Sequence, residues 1–182
     1  MAKVIFGMSV SVDGFINDKN GSVAELYPDF KEFTESDFMK ESIANTGAVV
    51  MGRRTFEMAD DPDAYADSYE YQTPIFVITE QAPAKTPKSN DRLSFTFVNN
   101  AAKAVEQAKQ AAGSKNVMVV GGPNVATRLL NAGLIDELQV SIVPVILGDG
   151  QKLFEGLNHV NLKKTRITEL GQRTTLEFLV LK

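Results

Sequence analysis

Twice in this chain a short, mostly apolar run passes directly into glycine and then into a helical pattern. Ala48–Met51 leads into Gly52-Arg53-Arg54-Thr55, and Asn116–Val120 leads into Gly121-Gly122-Pro123. A strand without polar alternation is covered on both faces, and such strands belong to parallel sheets whose crossover helices pack above and below. The repeat of strand, glycine turn and helix therefore predicts an α/β fold with a mostly parallel sheet.

The rest of the chain fits that frame. Lys3–Val10 is β-rich, and Ser11–Tyr27 is a long loop with turn signals at Asp13-Gly14 and Asn20-Gly21. Phe30, Phe33, Phe38, Met39 and Ile43 space as one irregular amphipathic helix, stopped by Thr46-Gly47. A further helix is expected to start within GRRTFE. Pro74 opens a buried strand, PIFVIT, Ser94–Val98 alternates as a shorter one, and Ala101–Ala112 is an alanine-rich helix stopped by Gly113. The helix after Gly122 runs through Leu130 and ends near Gly133. From Asp136 the helical signals fade: ELQVSIVPVIL is strand-like, Gly148-Asp149-Gly150 turns, and Thr165–Leu170 and Thr174–Leu181 alternate. Parallel units thus give way to antiparallel strands. With no internal repeat or linker, the 182 residues are expected to form one domain, 1–182.

Composition narrows the function classes. No apolar run approaches the ~20 residues of a membrane span, and no leader signal precedes the first strand, so a cytoplasmic protein without membrane partners is expected. Zero cysteines exclude disulfides and thiolate metal sites, and a single histidine excludes the HExxH type of zinc centre. A net charge of −4 and a pI near 5.1 oppose nucleic-acid binding. Asp60, Asp61, Asp63 and Asp67 lack the calcium-loop spacing and read as a solvated loop, and His159 reads as a surface residue. Gln81–Asp91, with Pro83 and Pro87, reads as an exposed loop.

What remains possible is a small anionic ligand. A glycine at the carboxyl end of a parallel strand lets the chain turn tightly into a helix whose first N–H groups lack partners, and such an end attracts phosphate. Thr55 adds a hydroxyl, and Arg53 and Arg54 add guanidinium groups that grip two oxygens at once. Read alone, GRRT is equally a pair of solvated arginines on a surface helix. The second turn changes that balance: Gly121 and Gly122 allow close backbone approach, Pro123 sits near the first helical position, and two such termini can hold one dinucleotide. The ordinary GxGxxG fingerprint is absent.

The pieces MSVSVDGFI, VVMGRRTFE, PIFVIT, NVMVVGGPNVATRLL, GLIDEL and VPVILGDGQKLF, in this order and spacing, resemble the dihydrofolate-reductase-like superfamily nearly end to end. Asp13-Gly14, the GGP turn and the late GDG and LF pieces look most like its riboflavin-biosynthesis branch, the bifunctional deaminase-reductase C-terminal domain. The resemblance implies a mostly parallel central sheet flanked by helices, an antiparallel C-terminal edge, NADPH across the strand ends, and a homodimer. It places Gly52, Arg53, Arg54 and Thr55 on a first phosphate loop and Gly121, Gly122, Pro123, Asn124 and Val125 on a second. It puts Thr79 near the adenosine 2′-phosphate and implies a cis peptide between Gly121 and Gly122. For catalysis it offers Asp37, on the helix before the GRRT loop where dihydrofolate reductases carry an acid, and Asp13, in a substrate or loop-ordering role. Either aspartate also reads as ordinary: Asp37 as a solvent-facing helix residue, Asp13 as a turn.

The implied activity is an NADPH-dependent reductase that moves hydride to a small pteridine, pyrimidine or ribosylamine-type substrate, the step of 5-amino-6-(5-phosphoribosylamino)uracil reduction being the nearest example. The alternatives are an NADP(H)-binding regulatory module without turnover and a purely structural homodimer.

Overall fold

The structure is a computed structural model that describes residues 2–182. Strand β1 (Val4–Ser11) lies inside an eight-stranded sheet of order β4-β3-β2-β5-β1-β6-β8-β7. Its neighbours β5 (Asn116–Val119) and β6 (Glu137–Val143) both run parallel to it. From β5 the parallel run continues outward through β2 (Thr46–Gly52), β3 (Ile75–Ile78) and β4 (Phe95–Val98). The chain therefore leaves β1, skips one place to build β2, β3 and β4 outward, and returns to fill the gap with β5 before crossing to β6. That reversal opens a crevice at the carboxyl ends of β1, β5 and β2, the position where open α/β sheets bind ligands.

Period-two alternation sorts the apolar side chains of the central strands into two cores. Val4, Phe6, Val50, Val117 and Val119 face α5 (Ala101–Ala112) and α6 (Pro123–Asn131). Ile5, Val49, Met51, Val77 and Met118 face the other side, where α1 (Phe30–Thr34), α2 (Asp37–Asn45), α3 (Arg53–Phe56) and α4 (Tyr65–Ser68) pack. Both faces are covered, which is why these strands could be apolar throughout. β4 ends the sheet on one side, and the other edge is β7 (Asn161–Leu170), antiparallel to β8 (Arg173–Leu181), which is itself antiparallel to β6. Lys163, Lys164 and Arg166 charge that edge and oppose pairing with stray strands.

Two helices differ from the sequence expectation. The single amphipathic helix is split into α1 and α2, because Ser36 is extended and caps α2 by accepting the Met39 N–H at 3.2 Å. The helix after Gly52 is a single turn, Arg53–Phe56, and the Asp61-Pro62 step that follows starts a separate 3₁₀ turn at Pro62–Ala64. Its macrodipole is correspondingly small, so the GRRT loop acts through local N–H groups and side chains, and only α6 offers a substantial helix pole.

Candidate functional site

The two glycine turns touch. Gly52 N–H donates to the Gly121 carbonyl at 3.0 Å, and Val120 N–H donates to the Val50 carbonyl at 3.1 Å. Gly121 has φ +141°, and a Cβ there would lie 2.8 Å from Thr55 Oγ1, so only glycine admits this closeness. The Gly121–Gly122 peptide is cis. Both turns open on one cleft of about 780 Å³, with Gly52, Arg53, Arg54 and Thr55 on one lip and Gly122, Pro123, Asn124 and Val125 on the other.

The lips differ in what they offer an anion. Pro123 stands at the first position of α6, and the Val125 and Ala126 N–H groups turn back to the Gly122 carbonyl at 3.0 and 3.1 Å. Asn124 is left exposed at the mouth of the helix. On the other lip, Arg53 Nε donates to Glu57 Oε1 at 2.6 Å, whereas Arg54 has no ion-pair partner among the described residues. Thr79 lies outside the main cleft, in an adjoining hollow of about 190 Å³ that it shares with Arg53 and Glu57. There its hydroxyl donates to the Gln81 carbonyl at 2.8 Å.

The remainder of the cleft is aromatic. Gly7, Ser9 and Met118 floor it, and Phe33, Phe38 and Tyr69 stand in its walls. Tyr71 and Ser42 share a hydrogen bond of 2.9 Å across α2, and the Tyr65 hydroxyl donates to the Phe56 carbonyl at 3.3 Å. Burial pushes the Tyr65 and Tyr71 phenols up to about 12 and lifts Tyr69 well above its ordinary value. All three hydroxyls are therefore neutral donors at physiological pH. Glu70, between Tyr69 and Tyr71, is the one carboxyl among the described residues that lines the cleft.

Neither aspartate singled out from the sequence lines it. Asp13 accepts the Ser11 hydroxyl at 2.6 Å and the Leu147 and Gly148 N–H groups at 3.1 and 2.7 Å. The Ser11 bond, followed by those from Gly148 and Leu147, holds its carboxyl below the usual aspartate range. Its geometry is that of a loop-ordering residue, tying the loop after β1 to the segment after β6. A bridge between Phe15 and Lys152 continues the seam, and at Gly150 a Cβ would collide with the Asn17 carbonyl oxygen. The stitched loop delivers Ile16 and Asn17 to the cleft. Asp37 lies in the first turn of α2 with its side chain fully in solvent, 3.5 Å from Lys40. At that position α2 turns Phe38 and Met39 toward the cleft and Asp37 away from it.

Sequence reading missed Arg173. Only 2% exposed, its guanidinium donates to Asp29 at 2.9 and 2.6 Å, to Ser9 Oγ at 2.8 Å and to the Leu26 carbonyl at 2.8 Å. It also lies 4.3 Å from the Phe33 ring centroid and 5.5 Å from that of Tyr27. Because Ser9, Tyr27 and Phe33 line the cleft, Arg173 fixes the cleft wall from behind. The Arg173 bond in turn holds the Asp29 carboxyl below its ordinary range. An arginine next to a hairpin turn carries no sequence signal for such a role.

Comparison with known proteins agrees with this geometry. The uncharacterized protein YyaP of Bacillus subtilis (strain 168) is 27% identical over 169 residues, which are 88% of this chain and 85% of that protein. A protein of Shewanella sp. PV-4 named for riboflavin biosynthesis superposes with a TM-score of 0.76 at 22% identity, covering 100% of both chains. The riboflavin biosynthesis reductase Rib7 of Saccharomyces cerevisiae gives 0.64 at 16%, covering 100% of this chain and 90% of its own. These likenesses establish a shared dihydrofolate-reductase-like fold. The model of one family, the RibD C-terminal domain, matches residues 2–176. With that match running almost from end to end, the chain belongs to the RibD C-terminal domain family.

Proposed function

We propose that this chain is an NADPH-dependent reductase acting on a small heterocyclic substrate. Family membership supports a reductase role, and one observation carries the cofactor assignment: two glycine turns in contact, opening on a single cleft. The donor set fits a phosphorylated dinucleotide. Arg54 is a cation without a carboxylate partner, Thr55 adds a hydroxyl, and α6 presents its positive end. Arg54 is the better ligand for the 2′-phosphate, because Glu57 partly neutralises Arg53 and would repel a dianion beside it. Thr79 and Arg53 border the hollow that would receive the adenosine end.

Bound NADPH supplies the hydride and its two electrons. The protein orients the reactants and excludes water: the Asp13 seam positions Ile16 and Asn17, and Arg173 fixes the Ser9, Tyr27 and Phe33 wall. Fluorescence titration with NADPH and NADH tests the assignment. Arg54→Ala is expected to weaken NADPH by about tenfold or more and NADH far less, the loss of a charge-assisted contact to the extra phosphate. Equal losses for the two cofactors would remove the 2′-phosphate role.

One observation favours a second reading, an NADP(H)-binding module without turnover: Asp13 and Asp37 both lie outside the cleft. Binding of NADPH with no oxidation across a panel of pterins, pyrimidine ribosylamines and quinoid carbonyls would select it. We further propose a homodimer, since β7 exposes Leu162 and Ile167 on one face of the β7–β8 hairpin, apolar surface that a second copy would cover. Light scattering that gives a monomer mass at micromolar concentration would refute it.

A further inference from the structure

Charge is distributed unevenly around the cleft. The cations lining it are Arg53, Arg54 and Arg128, and each stands on α3 or α6, the helices that leave the two glycine turns. The other half has no lysine, arginine or histidine among its described lining residues, and one acid, Glu70. Topology separates the two halves. α2 joins the end of β1 to the start of β2, so it runs back from the carboxyl edge of the sheet toward the amino edge. Ser42 lies in the second half of α2, and Tyr71 meets it at 2.9 Å. Glu70, adjacent to Tyr71, thus belongs to the part of the cleft that α2 walls.

Glu70 is exposed where the cleft opens to water, although protein crowds its carboxyl group. Burial lifts its carboxyl above the ordinary range; only its own backbone N–H opposes this, and no cation stands against it among the described residues. The rings of Tyr69 and Tyr71, its neighbours in the chain, lie 5.9 Å apart between centroids, and Phe33 and Phe38 lie in the same cleft at 6.3 Å from each other. Such walls suit a planar ring. A carboxylate or phosphate entering this end would shed water to meet a second acid and no cation, which is unfavourable. An amine, amidine or ring N–H group would instead meet an acceptor that lacks a partner, and a cationic one would gain from the surrounding ring faces.

We propose that Glu70 is the specificity-determining residue of the cleft, admitting planar, unphosphorylated molecules whose far edge carries N–H donors and rejecting those that carry an anion there. A phosphoribosylated substrate would have to take its cation from the arginines of the coenzyme lips. The term substrate rests on the reductase reading above; the charge preference is a property of the cavity and is measurable without cofactor.

Benzamidine and benzoate are matched planar probes of opposite charge, and ligand-observed NMR on the intact chain at neutral pH reads their affinities directly. Benzamidine is expected to bind about tenfold or more tighter than benzoate, the worth of one charge-assisted pairing. Glu70→Gln should bring the two close together, and Glu70→Lys should invert the order. Equal affinities in the unmodified chain, or a preference that survives Glu70→Gln, would overturn the proposal. Failure of NADPH to bind, with the benzamidine preference intact, would sink the reductase reading and leave this one standing.

Discussion

Replacing Arg173 with methionine isolates the contribution of the buried cation behind the cleft wall. The change keeps an unbranched apolar stem but removes a guanidinium that serves both oxygens of Asp29, the Ser9 hydroxyl and the Leu26 carbonyl. Removing one partner of a buried pair costs about 3–5 kcal/mol, because the other charge is left uncompensated. The Asp29 side chain is 26% exposed, so water recovers part of that loss and the lower end, about 3 kcal/mol, applies. With a urea m-value of ~2 kcal/mol/M, the midpoint measured by far-UV circular dichroism should fall by about 1.5 M.

The pH dependence has a definite sign. The Asp29 carboxyl is depressed in the folded state, so its stabilisation is fully present above the unfolded value of about 3.9 and is lost as the pH falls through the lower, folded value. The gap between Arg173→Met and the unmodified chain should therefore narrow as the pH drops below about 4. Adding Asp29→Asn to Arg173→Met should cost much less than Asp29→Asn alone, since the two groups act as one unit. A loss under about 1 kcal/mol at neutral pH, or one that does not change with acidification, refutes the assignment of the cluster as a buried ionic anchor.

Gly121→Ala introduces a Cβ 2.8 Å from Thr55 Oγ1 at a φ of +141°, and is expected to lower stability by about 1–3 kcal/mol while weakening NADPH; wild-type affinity in the folded variant would show that turn contact is not needed. Asp13→Ala removes the acceptor for two backbone donors, so the Leu147 and Gly148 amides should exchange faster with deuterium; unchanged exchange would remove its loop-ordering role. Asp37→Asn alters a solvated side chain and should leave kcat and KM unchanged; a fall in kcat would return Asp37 to the site.

Much of the fold is legible because it rests on local patterns. The apolar runs at Val49–Met51 and Val117–Val120, and the glycines that end them, declare strands covered on both faces and tight turns into helices. The same residues bring the two lips of the cleft into view. What escaped depends on tertiary placement. Arg173 and Asp29 are 144 residues apart, and neither position announces the other. Glu70 closes an acidic stretch that reads as a solvated loop, and it is exposed, as is Asp67, which pairs with Lys88 of the neighbouring loop. Only its position between Tyr69 and Tyr71, on a wall that α2 completes, sets it apart. Asp37 is the complementary case: its place on a helix is evident in the sequence, while the rotation of α2 that points its neighbours inward is not.

The insertion of β5 between β1 and β2 also orders how the molecule must come together. The flanking strands are laid down first, yet each hydrogen-bonds to β5 and not to the other. A chain still emerging from the ribosome holds a β2-β3-β4 sheet and an unpaired β1 until residues 116–119 arrive to join them, and the nucleotide cradle cannot exist earlier. Assembly is thereby governed by distant rather than neighbouring contacts, a topology that folds slowly and leaves bare strand edges waiting in the meantime.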